Sequence, residues 1–128
     1  MWYTFFMSKK VLLIEDERDL VDLYTEVLVE VGFTVVTALD GETGTEKIKN
    51  EDWDLLLLDV MLPDKDGMAM LEEIHNTSVL KKGPVIVLTN LNREDLVEKS
   101  VQFGASGYLV KSEVSLDDIV AEVKKHLG

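Results

Sequence analysis

The chain has 128 residues, 46% hydrophobic and 30% charged, which is one domain's worth and enough to bury a core rather than remain disordered. It contains no cysteine, which excludes a disulfide framework and a thiolate metal site, and its formal net charge of −12 repels DNA phosphates and anionic lipid heads. No apolar run approaches the roughly 20 residues that a spanning helix needs, so neither direct nucleic-acid binding nor a membrane role is expected.

The opening Met1-Trp2-Tyr3-Thr4-Phe5-Phe6 is apolar but too short for a signal peptide, with no basic leader and no small-residue cleavage site. Met7-Ser8-Lys9-Lys10 reads as a second start. Residues 1–8 are therefore expected to be an extension outside the fold and residues 9–128 one domain.

Five short apolar runs then alternate with helical patterns. The runs are Val11–Ile14, Phe33–Val36, Leu55–Leu58, Val85–Leu88 and Tyr108–Val110, and two of them are nearly continuous aliphatic stretches, as strands covered on both faces should be. After the first run, Leu20, Leu23, Tyr24, Val27, Leu28 and Val31 recur at helical spacing, and Gly32 stands where that helix should stop. The second helix, within Asp40–Asn50, reads as weak, short or mobile: Ile48 is its one strongly apolar residue, and Gly44 lies between Thr43 and Thr45. The third offers Met68, Leu71 and Ile74, and the fourth Leu96, Val97 and Val101, ending at Phe103 and Gly104. The last offers Leu116, Ile119, Val120, Val123 and Leu127 behind Ser115 as N-cap. Five βα units in this length imply an open, mostly parallel sheet with helices on both faces and right-handed crossovers.

The residues that follow the runs carry the chemistry. The first run leads into Glu15-Asp16-Glu17, the third into Asp59, the fourth into Thr89 and the fifth into Lys111. In open α/β sheets, ligands bind outside the carboxyl ends of the strands, so these side chains are expected to converge. Carboxylates with no His or Cys beside them suit a hard, oxygen-loving cation such as magnesium. Such an ion neutralises phosphoryl oxygens, Lys111 offsets further charge, and a carboxylate is itself a competent nucleophile that forms an aspartyl phosphate. Asp59 suits that part because it directly follows Leu55–Leu58, a rigid stretch at the centre of the sheet.

From Lys9 to Leu127 the chain resembles bacterial two-component response-regulator receiver domains of the stand-alone, chemotaxis-switch type. The resemblance rests on Val11-Leu12-Leu13-Ile14-Glu15-Asp16-Glu17, Asp59-Val60-Met61-Leu62-Pro63-Asp64-Lys65-Asp66-Gly67, Val87-Leu88-Thr89 and Gly104-Ala105-Ser106-Gly107-Tyr108-Leu109-Val110-Lys111. It implies a flavodoxin-like doubly wound (βα)5 fold with five parallel strands in the order 2-1-3-4-5. It implies a magnesium site formed by Glu15, Asp16, Asp59 and the Met61 carbonyl, with Asp59 as phosphoacceptor. Thr89 is then the hydroxyl that moves onto the phosphoryl group, Lys111 its cationic partner, and Tyr108 the aromatic that changes rotamer with the switch.

The implied partners are a sensor histidine kinase or phosphotransfer protein, or a small phosphodonor, and a downstream protein reached through the fourth helix, fifth strand and fifth helix. The implied setting is cytoplasmic, and the assembly a monomer or a phosphorylation-dependent dimer. With no output domain in this sequence, the signal is expected to leave by protein–protein contact rather than by turnover of a substrate.

Four departures stand out: Ser112 where proline is usual, Asn90 where a smaller alanine is common, Lys65 in place of a frequent methionine, and Thr43-Gly44-Thr45 in place of a better helix former. The loop after Lys111 is expected to keep a cis bond to Ser112, and Asn90 to narrow access to Asp59. A haloacid-dehalogenase-type phosphatase would need a second aspartate two positions after the nucleophile, where Met61 stands, and a flavodoxin would not place Glu15-Asp16-Glu17 in its phosphate loop. A receiver-like module that takes no phosphate would lack an acceptor, acid or lysine, and none is missing. His75 and His126 read as surface residues, Trp53 as a cap at the far end of the core, and Met61, Met68 and Met70 as core filler.

Overall fold

The computed structural model describes residues 8–127. Five strands, β1 (Lys10–Ile14), β2 (Thr34–Ala38), β3 (Leu55–Leu58), β4 (Val85–Thr89) and β5 (Gly107–Val110), alternate with α1 (Arg18–Glu30), α2 (Gly41–Asn50), α3 (Gly67–Asn76), α4 (Glu94–Gln102) and α5 (Leu116–Leu127). All pairings are parallel, and the order is β2-β1-β3-β4-β5, the doubly wound arrangement expected. Residues 1–7 of the expected extension lie outside the described residues; Ser8 donates from its Oγ to the Gly32 carbonyl at 2.6 Å.

β3 runs through the middle, and all four of its leucines are buried. Alternation divides them: Leu56 and Leu58 pack with α2 and α3 residues Ile48, Met68, Leu71 and Ile74, while Leu55 and Leu57 pack with α1 and α5 residues Tyr24, Leu28, Ile119 and Val123. A strand with an apolar layer on each face has no solvated side. That explains the unbroken run of leucines.

Several helix details depart from the expected pattern. On α1, Leu23 and Val31 are exposed and Val21 is buried in their place; Gly32 closes the helix with φ 104°. On α4, Val101 is 64% exposed, whereas Ser100 is fully buried, its hydroxyl satisfied by the Val97 carbonyl at 2.7 Å. Met61 is exposed too, so of the three methionines expected to fill the core, Met68 and Met70 do so and Met61 does not. Ser115 caps α5 reciprocally with Asp118, each accepting from the other's backbone N–H.

The expectation of a weak α2 is corrected. It runs a full 10 residues, and Asp40 caps it by accepting from Thr43 N at 2.7 Å. Contacts from elsewhere offset its poor composition: Lys82 donates to the Lys49 and Glu51 carbonyls at its end, and Lys47 to the Thr37 carbonyl. Gly44 is where the helix meets the sheet, since a Cβ there would come within 2.8 Å of Ile14 Cδ1. What reads as a weak helix former is a close-approach position. The cis bond expected between Lys111 and Ser112 is also corrected, because every peptide bond among the described residues is trans. Lys111–Glu113 form a 3-10 turn instead, and a serine lacks the tertiary amide that makes a cis bond accessible.

Candidate functional site

Strand register brings the polar residues together. Ile14 and Leu58 are partners across β1 and β3, so Glu15 and Asp59 leave the sheet at the same level; Asp59 N donates to the Ile14 carbonyl at 3.0 Å. Thr89 pairs with Val110 across β4 and β5, which sets Lys111 one residue beyond. Four adjacent strands thus deliver two carboxylates, a hydroxyl and an ammonium group to one edge.

Asp59 is only 4% exposed and both its oxygens are engaged. Oδ1 accepts from Met61 N at 2.9 Å, and Oδ2 accepts from Lys111 Nζ at 2.8 Å. The Lys111 ammonium also contacts Glu15 Oε1, and Glu15 Oε2 accepts from Glu17 N at 3.0 Å. Burial pushes the Glu15 carboxyl above its ordinary value, against the opposing pull of the Glu17 amide and Lys111. Burial alone would lower Lys111, but its bonds to Asp59 and Glu15 outweigh that and hold the ammonium above its ordinary value.

Glu15, Asp16 and Asp59 each present an oxygen, all within 4.8 Å of one another. Three carboxylates face one ammonium, so the cluster is under-neutralised by two charges, and its donors are all oxygen. A hard divalent cation fits that set. The cluster borders a cleft of about 280 Å³ lined by Asp16, Glu17, Asp59, Met61, Thr89, Asn90 and Lys111. Asn90 is exposed at its rim, where it was expected to restrict access.

Residues 11–124 match the response regulator receiver domain family. The chain belongs to that family. The family's general function is that of a phosphorylation-activated switch in two-component signalling, and receiver domains depend on magnesium in general. The regulatory protein VanRc of Enterococcus gallinarum is 38% identical over 122 residues, covering 94% of this chain and 51% of that protein. The chain therefore spans about half the length of this curated relative. A CheY-like response regulator receiver domain protein from Methanospirillum hungatei JF-1 superposes with a TM-score of 0.86 at 29% identity, covering 94% of both chains. The BeF3-activated N-terminal receiver domain of Klebsiella pneumoniae RstA gives 0.84 at 31% identity, covering 93% of this chain and 98% of that one.

In this receiver domain Thr89 is fully buried, with Oγ1 accepting from Leu91 N at 3.4 Å. Tyr108 donates its hydroxyl to the Leu91 carbonyl. One peptide segment thus joins Thr89 to Tyr108, a link with no signature in the sequence because it is made by backbone atoms. Trp53 lies at the opposite end of β3, buried, with Nε1 donating to the Ile48 carbonyl at 3.0 Å. His75 is exposed, and His126 pairs with Glu122 on its own helix. Among the described residues, no helix is long and apolar enough to cross a membrane.

Proposed function

We propose that residues 9–128 form a receiver domain that takes one phosphoryl group on Asp59 and signals through protein contact. The observation that carries this reading is the placement of Asp59: nearly buried, with Lys111 on one oxygen and the Met61 amide on the other, at the floor of an open cleft.

A carboxylate oxygen of Asp59 attacks the phosphorus of a phosphohistidine or an acyl phosphate. A P–O bond to Asp59 forms, the donor's P–N or P–O bond breaks, and the leaving imidazole or carboxylate keeps the electron pair. Glu15, Asp16, Asp59 and the Met61 carbonyl would hold magnesium, which supplies charge neutralisation for the phosphoryl oxygens. Lys111 already faces Asp59 and offsets further negative charge as the group arrives. Thr89, which lines the cleft beside Asp59, offers its hydroxyl as a donor to the new phosphoryl oxygens.

Position 61 carries no acid that would protonate a leaving group, which supports a switch over a turnover phosphatase. The donor is a cytoplasmic histidine kinase, a phosphotransfer protein or a small acyl phosphate, and the receiving partner docks on α4, β5 and α5. The test is incubation with acetyl phosphate, with magnesium or with a chelator, read by intact mass. One added phosphoryl group in wild type with magnesium is expected, and none in Asp59→Asn. Equal labelling of the two proteins would remove Asp59 from the role.

A further inference from the structure

Beyond the cleft, the loop between β3 and α3 is tied to α2, which packs on the same face of the sheet as α3. Asp64 reaches the start of α2, where Oδ1 accepts from Gly41 N at 2.7 Å and Oδ2 from Glu42 N at 2.9 Å. These are two of the amides that a helix leaves unpaired at its N-terminus, and a carboxylate there also meets the favourable end of the helix dipole. Next to it, the backbone of α2 approaches so closely that a Cβ on Gly41 would lie 2.6 Å from Lys65 Cβ. Lys65 then bonds Thr45 Oγ1 at 3.2 Å, one turn along the helix.

Asp40 already caps α2 through Thr43 N. Asp64 is therefore a second, external cap, and it does something the first does not. It lies within the six-residue hairpin closed by the bridge between Met61 and Asp66. That hairpin supplies the Met61 N–H held by Asp59 Oδ1, and the Met61 carbonyl assigned above to the metal. At its other end Asp66 caps α3 through Met68 N. A loop pinned at its two ends still has a free tip, and Asp64 and Lys65 fix that tip to α2.

We propose that Asp64 is a positioning residue: by clamping the loop tip to the start of α2, it sets the Met61 backbone for metal binding at Glu15, Asp16 and Asp59. The metal part of this inference rests on the proposed function. The amide contact between Met61 and Asp59 does not.

Two arms test it separately, using Asp64→Ala, Asp64→Asn and Asp40→Ala. Asp40→Ala weakens the same helix through its own cap and leaves the loop clamp in place. In the metal-free protein, amide hydrogen exchange at Gly41, Glu42 and Met61 should speed up in Asp64→Ala. In Asp40→Ala the increase should be confined to α2, with Met61 unchanged. In the second arm, manganese titrated as a magnesium substitute and followed by electron paramagnetic resonance should bind Asp64→Ala about tenfold more weakly than wild type, the usual scale for a lost group that orients a metal ligand. Asp64→Asn should fall between them, because its amide keeps one acceptor oxygen. The magnesium needed for half-maximal phosphorylation by acetyl phosphate should rise in parallel, with the rate at saturating magnesium little changed.

Unchanged Met61 exchange in Asp64→Ala would overturn the clamp. So would an equal loss of manganese affinity in Asp40→Ala, which would reduce Asp64 to a helix cap. If wild type bound no manganese at the cluster while Met61 exchange still responded to Asp64→Ala alone, the metal assignment would fall and the clamp would stand.

Discussion

Lys111 Nζ lies 2.8 Å from Asp59 Oδ2, across 52 positions of sequence, and the same ammonium holds Glu15. Its side chain is 6% exposed, so one cation bridges two buried carboxylates with little help from water and offsets the charge of one of them. Lys111→Met keeps the bulk of the side chain and removes that cation. Losing one partner of a buried pair typically costs about 3–5 kcal/mol. The metal-free variant should melt well below wild type, and magnesium should raise its melting temperature more than it raises that of wild type. Calorimetry with and without magnesium would show it; equal metal-free melting temperatures would mean that the pair contributes nothing to the fold.

The connection from Thr89 to Tyr108 through Leu91 gives a second expectation. Thr89→Ala keeps Asp59, Lys111 and the carboxylates, so it should still accept phosphate, but it removes the hydroxyl that links the cleft to the Leu91 segment. A bound group shifts a two-state element only through its different affinity for the two states. Amide chemical shifts with beryllium fluoride, standing in for the phosphoryl group, should change around Tyr108 in wild type and little in Thr89→Ala. A full response in the variant would require a route that bypasses Leu91.

How far the sequence discloses this site depends on what makes each contact. Glu15, Asp59, Thr89 and Lys111 were legible because each directly follows or ends an apolar run, and parallel register carries matching strand ends to matching places. Leu91 was not legible, since its part is played by its N–H and carbonyl. Nor was Asp64, one more acid in an acidic loop until the start of α2 is seen beside it. The strength of α2 is hidden from the sequence for a related reason. Propensity counts Gly44 and its threonine neighbours against the helix, while the restraints that hold it come from Asp64, Lys82 and the sheet surface. On α4, the buried Ser100 satisfies its hydroxyl within its own helix, which lets it take a position that an apolar pattern assigns to valine.

Gly44→Ala tests how tightly α2 is seated on the sheet. Helix propensity alone favours the change by about 1 kcal/mol. A Cβ at that point meets Ile14 atoms at 2.8, 3.0 and 3.2 Å, and Ile14 is fully buried directly before Glu15. Overpacking of this kind costs about 1–3 kcal/mol, so a net loss is expected in urea denaturation. A variant more stable than wild type would show that the helix can lift off the sheet freely.

Trp53 should be a poor reporter of the cleft. It is buried at the opposite end of β3, held by the Ile48 carbonyl, and four strand residues of roughly 3.3 Å each separate its end from Asp59. Trp2 lies outside the described residues, so the measurement belongs in Trp2→Phe, where only Trp53 emits. Magnesium should leave that emission nearly unchanged; a large quench would contradict the placement.

The most direct measurement on the central claim locates the phosphoryl group chemically. Borohydride reduces an acyl phosphate on aspartate to homoserine, which survives digestion and can be read by peptide mass spectrometry. After treatment with acetyl phosphate and magnesium, homoserine should be found at position 59 and at no other aspartate. Modification at Asp16 or Asp64, with Asp59 intact, would contradict the assignment of Asp59 as the acceptor.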